Sequence, residues 1–128
     1  MVKSYAKGYA AEWQLTHTLA TLGFMVIRAP RSGRIGLPSP DIVAIKKGKI
    51  LVIECKSRKD AFTVEQEQLS ELKAWQDHGA LALIAWKQSY KGWFFLHLSD
   101  VSANNGNIGK KFTAEKSFSI EKLDELMN

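Results

Sequence analysis

Seven consecutive apolar residues, Ala80-Leu81-Ala82-Leu83-Ile84-Ala85-Trp86, constrain the fold more than any other part of the chain. A membrane span needs roughly 20 such residues. A half-exposed strand would alternate apolar with polar positions, and this run does not. The run predicts a strand buried on both faces. Such a strand fits a layered α/β arrangement, with structure packed above and below its sheet.

The remaining patterns supply those layers. Residues 5–22 are expected to form a helix, with Tyr9, Trp13, Leu15, Leu19 and Leu22 near helical spacing and Gly23 ending it. Phe24–Arg28 predicts a strand. Residues 29–39 carry Pro30, Gly33, Gly36 and Pro38 and predict a loop. Two apolar runs, Ile42–Ile45 and Ile50–Ile53, flank Lys46-Lys47-Gly48-Lys49, which predicts a hairpin over 41–56. Thr63-Val64-Glu65-Gln66 fits a capping box for a helix over 64–77, with Leu69, Leu72 and Trp75 inward and Gly79 as its stop. A turn at Tyr90-Lys91-Gly92 leads to a strand over 93–98. Residues 102–111 are expected to be a loop, and Ser119 is expected to cap a short helix over 120–127. The order is αβββαββ with a terminal helix: an α/β fold with a mixed central β-sheet flanked by helices. At 128 residues the expectation is one domain, 1–128.

The hairpin carries the chemistry. Asp41 opens its first apolar run, while Glu54, Cys55 and Lys56 close its second. Folding at the glycine-containing turn brings Asp41 and Glu54 together at one end. Alternation points Glu54 and Lys56 one way and Cys55 the other. Two hard carboxylates beside one cation suit Mg2+ and a phosphate. The plain alternative is a surface turn with chance charges.

Charge placement bears on the partner. Residues 1–59 hold eleven Lys/Arg against three acids, Glu12, Asp41 and Glu54, whereas residues 60–128 hold seven against ten. A basic half suits a polyanion, and phosphate contacts dominate nucleic-acid binding. Arg28, Arg31 and Arg34 are expected on the DNA backbone, because planar guanidinium groups match phosphate. Lys3, Lys7, Lys46, Lys47, Arg58 and Lys59 would extend that face; for Lys46-Lys47 and Lys59 the plain alternative is a solvated charge run. Trp75, Trp86, Trp93, Phe94 and Phe95 are read as core or subunit interface. His17, His78 and His97 are read as structural.

Lys7-Gly8, Glu12, Arg28, Ser32, Pro40-Asp41 and Glu54-Cys55-Lys56 together resemble the archaeal Holliday junction resolvase family of the PD-(D/E)xK nuclease superfamily. The resemblance covers roughly residues 3–100. It implies a restriction-endonuclease-like core and a homodimer that cuts four-way DNA junctions by paired symmetric nicks in recombination or repair. Mg2+ is implied as cofactor, with Mn2+ able to substitute, at one or two ions per active site. Glu12, Ser32, Asp41, Glu54 and Lys56 would form the catalytic set. Asp41, Glu54 and the Cys55 backbone carbonyl would face the metal, with Glu12 reaching it from the first helix through water. No basic residue lies three or four positions from Glu12 within its helix to pair with it. Gln66 and Gln68 approach the site from the second helix in some relatives, though capping already explains Gln66.

The competing readings are another PD-(D/E)xK DNA nuclease of repair or restriction type, and a catalytically inactive structure-specific DNA-binding protein. An RNA-cleaving relative also fits the phosphate chemistry. Residues 101–128 lie beyond the motif and would alter the dimer interface or add a DNA contact. A single cysteine, no apolar leader and no membrane-length run lead us to expect a cytoplasmic protein without a membrane partner.

Overall fold

A two-residue turn sets the register of the hairpin that carries the site residues. The structure, a computed structural model, describes residues 2–29 and 37–128, with side chains from Tyr9 onward. Lys47 and Gly48 both adopt positive φ, 52° and 81°, the backbone of a type I′ turn that matches strand twist. That turn joins β2 (Ile42–Lys46) to β3 (Lys49–Ser57), with Lys46 opposite Lys49 and Ile42 opposite Ile53. The register carries Asp41 to the position across from Glu54.

β1 (Met25–Arg28) pairs antiparallel with β2 at the sheet edge. The long apolar run becomes β5 (Leu81–Gln88), which lies parallel to β3, and β6 (Gly92–His97) returns antiparallel to β5. The result is a five-stranded mixed sheet in the order β1-β2-β3-β5-β6. A parallel β3–β5 pair needs a crossover, and α2 (Gln66–Asp77) supplies it. Helix α1 (Val2–Thr21) covers one face through Leu15 and Leu19, packing on Ile42, Ala44, Leu51, Ile53 and Leu83. Helix α2 covers the other through Leu69 and Leu72, over Val52, Ala82, Ile84 and Trp86. Trp86 and Phe95 are wholly buried, in keeping with a core role. No described helix is long and apolar enough to cross a membrane.

Several expectations change. Tyr9 and Trp13 face outward, and the inward stripe of α1 is Ala11, Glu12, Leu15 and Leu19. Thr63 does not cap a helix: it lies in β4 (Phe62–Thr63), paired with β7 (Asn107–Ile108), and its hydroxyl donates to Asn107 Oδ1 at 2.8 Å. Helix α2 therefore starts later, with Glu65 at its N-cap and no side-chain cap bond. The stretch expected as a loop contains β7, between α3 (Leu98–Ala103) and α4 (Lys110–Lys116). Ser119 does cap the last helix, α5 (Ile120–Leu126), accepting from the Lys122 N–H.

Candidate active site

At the end of the hairpin away from its turn, Asp41 and Glu54 stand close enough for a hydrogen bond between their carboxyls. Asp41 is held from two directions. Its carbonyl accepts from the Ala29 N–H at 2.8 Å, and its Oδ2 accepts from the Cys55 N–H at 2.7 Å. The Cys55 side chain turns to the α1 side of the sheet, as alternation requires, and packs against that core.

Glu54 and Lys56 sit under α2. Gln68 ties them together: Lys56 Nζ donates to Gln68 Oε1 at 3.0 Å, and Gln68 Nε2 donates to Glu54 Oε2 at 3.2 Å. The Lys56 ammonium is itself 3.7 Å from Glu54 Oε2. Sequence reading weighed Gln68 without assigning it. The signal lies in helical spacing, because Gln68 shares a stripe with Leu72 and Trp75, and that stripe faces the strand ends. Gln66, the other candidate, is solvent-exposed. Trp75 also braces the approach to Asp41, its indole N–H donating to the Pro38 carbonyl at 3.3 Å.

The electrostatics follow from crowding two acids in a half-buried place. Burial, then the Asp41 charge, raises the Glu54 pKa from 4.5 to about 8, although Lys56 pulls it down. The pair thus holds a proton where a second positive charge would fit. Oxygen donors of this kind suit a small hard cation that keeps several waters. Among the described residues, no group of three or more His, Cys, Asp or Glu gathers as a metal-binding cluster.

Glu12 departs from expectation in its partner. It is 3% exposed on α1, and Arg28 of β1 donates from Nε to its Oε1 at 3.1 Å. Its charge is felt at Glu54, but it does not join Asp41 and Glu54 in one ligand cluster. Arg28, expected on DNA, is instead occupied by Glu12 and lies over the Tyr9 ring, 4.3 Å from its centroid. Lys46 is a second correction. Its Nζ donates to the Leu22 carbonyl and to Asp124 Oδ1, both at 2.7 Å, so it anchors the turn to α5 and is not available as a phosphate contact. Lys47 is exposed at the same turn, at the opposite end of β2 from Asp41. Arg58 is exposed just beyond Lys56. Arg31, Ser32 and Arg34 lie outside the described residues, as do the side chains of Lys3 and Lys7.

A mixed sheet with two carboxylates and a lysine gathered at the end of a hairpin is the layout implied by the PD-(D/E)xK resemblance. The comparisons narrow that class. A family model described as the archaeal Holliday junction resolvase, Hjc, matches residues 3–127, and the chain belongs to that family. It is 38% identical over 76 residues to the crossover junction endodeoxyribonuclease Hjc of Sulfurisphaera tokodaii, covering 57% of this chain and 53% of that protein. It is 36% identical over 73 residues to the enzyme of that name from Methanocaldococcus jannaschii, covering 56% and 51%. The chain thus spans about half the length of the curated relatives it matches. The fold matches the 1.6 Å structure of Archaeoglobus fulgidus Hjc, a Holliday junction resolvase, with a TM-score of 0.81 and 26% identity over 91% of this chain and 99% of that one.

Proposed function

We propose that this protein is an endonuclease that resolves four-way DNA junctions, the activity named for its relatives, and that it works with a divalent metal. The observation that carries the reading is the Asp41–Glu54–Lys56 constellation, braced by Gln68, in a chain of the Hjc family. Hydrolysis adds water across a phosphodiester: an O–P bond forms, the bond to the 3′ oxygen breaks, and a 5′-phosphate and a 3′-hydroxyl result. Asp41 and Glu54 would hold one Mg2+ or Mn2+, with the Cys55 carbonyl beside them. The bound ion would supply charge neutralisation at the phosphate and an acidified water.

The chain's own groups do the rest. The Cys55 N–H fixes the Asp41 carboxylate. Gln68 holds Lys56 in place, and the ammonium offsets charge that builds on the phosphate during attack. Glu12, neutralised by Arg28, steadies α1 against the strand ends. Arg58, exposed beside Lys56, is placed for backbone contact. Phosphate contacts carry no base information, so recognition would rest on the shape of the junction.

Paired nicks need two sites, which a two-fold homodimer provides. An uncovered apolar face supports it. Met25 and Ile27 on β1 are 75% and 69% exposed, and Ile45, opposite Met25, is 42% exposed. A contiguous exposed apolar face of this kind marks an interaction surface, and a second copy would cover it.

Cleavage of a four-way junction and of linear duplexes built from the same strands, with magnesium and with a chelator, tests the proposal. Paired symmetric cuts in the junction alone, abolished by the chelator, are expected. Equal cutting of the duplexes removes junction recognition, and binding without cutting removes catalysis.

A further inference from the structure

The short β4–β7 pair does more than close the C-terminal segment. Phe62 pairs with Ile108 and Thr63 with Asn107, and the Val64 N–H donates to the Gly106 carbonyl at 2.8 Å. Gly106 has φ +83°, and a Cβ there would collide with the Val64 carbonyl oxygen. Ile108 is buried in the core beneath α2. The clip is therefore fixed, and it sets Gly109 beside Ala61, so that a Cβ on Gly109 would lie 3.7 Å from that of Ala61.

Two basic pairs flank this junction. Lys110 and Lys111 follow Gly109 at the start of α4. Arg58 and Lys59 precede Ala61, with the Arg58 backbone pinned by the Trp86 indole N–H at 2.8 Å. All four side chains are exposed. Among the described residues none of the four forms an ion pair, whereas Lys46, Lys73 and Lys122 each have a carboxylate partner. The acids nearest in sequence, Asp60 and Glu115, pair with none of them either. Lys110-Lys111 is also the one adjacent basic pair in residues 60–128, where acids outnumber bases ten to seven. Although 52 residues apart in sequence, Arg58-Lys59 and Lys110-Lys111 each lie within three residues of the Ala61–Gly109 contact that the clip sets.

The geometry points to a second phosphate-binding patch, formed by Arg58, Lys59, Lys110 and Lys111, that grips the backbone of a DNA arm beyond the phosphate at Lys56. The patch begins two residues from Lys56, so one duplex arm leaving the site runs onto it. The inference rests on the DNA reading of the site and extends it to the C-terminal segment.

Anisotropy of a labelled four-way junction, titrated in chelator over a salt series, tests it with the full chain. Each phosphate contact contributes about 0.9 to the slope of log affinity against log salt. Lys110→Ala/Lys111→Ala is expected to flatten that slope by about 1 to 2 and to weaken binding by about tenfold at moderate salt. Lys110→Arg/Lys111→Arg should keep both values, and thermal melting should match wild type for both variants. Arg58→Ala/Lys59→Ala should flatten the slope similarly. A wild-type slope in the lysine-to-alanine variant overturns the patch while leaving the DNA reading standing. Failure of the wild-type chain to bind any junction overturns both, and the wild-type titration alone distinguishes that case.

Discussion

Replacing Glu54 with glutamine should change how stability depends on pH, and the size follows from the site. Without metal, Glu54 titrates near pH 8 in the folded chain against an ordinary 4.5, because it is buried beside Asp41. The folded pKa is raised, so its contribution to stability is fully present below about pH 4.5 and is lost as pH rises through about 8. Each pH unit of difference corresponds to about 1.4 kcal/mol, which sets a ceiling of about 5 kcal/mol across the window. The side chain is 13% exposed, and relaxation of Gln68 and entry of water at the charged pair would reduce the loss, to about 2–3 kcal/mol. Urea unfolding in chelator at intervals from pH 5 to pH 9 measures it. The wild-type chain should lose this stability relative to Glu54→Gln, because titrating groups away from the Asp41–Glu54 site are common to both and cancel in the difference. Adding magnesium at pH 8 should restore wild type and do little for the variant, since a cation replaces the lost proton. Parallel curves for the two proteins would refute the reasoning, because Glu54 would then titrate like an exposed acid.

Three further outcomes follow from the contacts. Arg28→Ala should cost about 1.5–3 kcal/mol in urea unfolding, because it removes a charge-assisted hydrogen bond to buried Glu12; a loss below about 0.5 kcal/mol would show that the pair is not structural. In single-turnover junction cleavage, Lys56→Ala should slow cutting by about 10²–10³, and Gln68→Ala by about 10–100 through misplacement of Lys56 and Glu54, both without loss of junction binding. Ile27→Glu, on the uncovered face of β1, should shift sedimentation from dimer to monomer and leave the fold unchanged; an unaltered dimer would place the interface elsewhere.

The hairpin and its site were legible because the information they need is local. Period-two alternation, a glycine turn and the positions of Asp41, Glu54 and Lys56 lie within sixteen residues, and the register follows from the turn alone. The buried run that became β5 was equally self-contained. The changes at Glu12, Lys46 and Thr63 come from distant partners. Glu12 looked unpaired because the search covered its own helix, while its guanidinium comes from sixteen residues away on β1. Lys46 looked like a phosphate contact, but Asp124 lies 78 residues on. The capping box at Thr63 was overridden by an Asn107 partner 44 residues away.

Those misreadings share a physical cause that also locates the unexplained charge. A cation read from sequence is counted as surface until a carboxylate claims it, and only the folded chain makes that assignment. Arg28 and Lys46 are claimed, so fewer of the eleven cations of residues 1–59 stand ready for phosphate than the sequence count implies. Among the described residues no carboxylate claims Arg58, Lys59, Lys110 or Lys111, and the β4–β7 clip draws the segments that carry them together at Ala61 and Gly109. The exposed cationic surface thus includes Lys110 and Lys111 in the C-terminal segment as well as Arg58 and Lys59 just beyond Lys56. The proposed phosphate patch rests on this placement: four exposed cations flanking the Ala61–Gly109 contact, none with a carboxylate partner among the described residues.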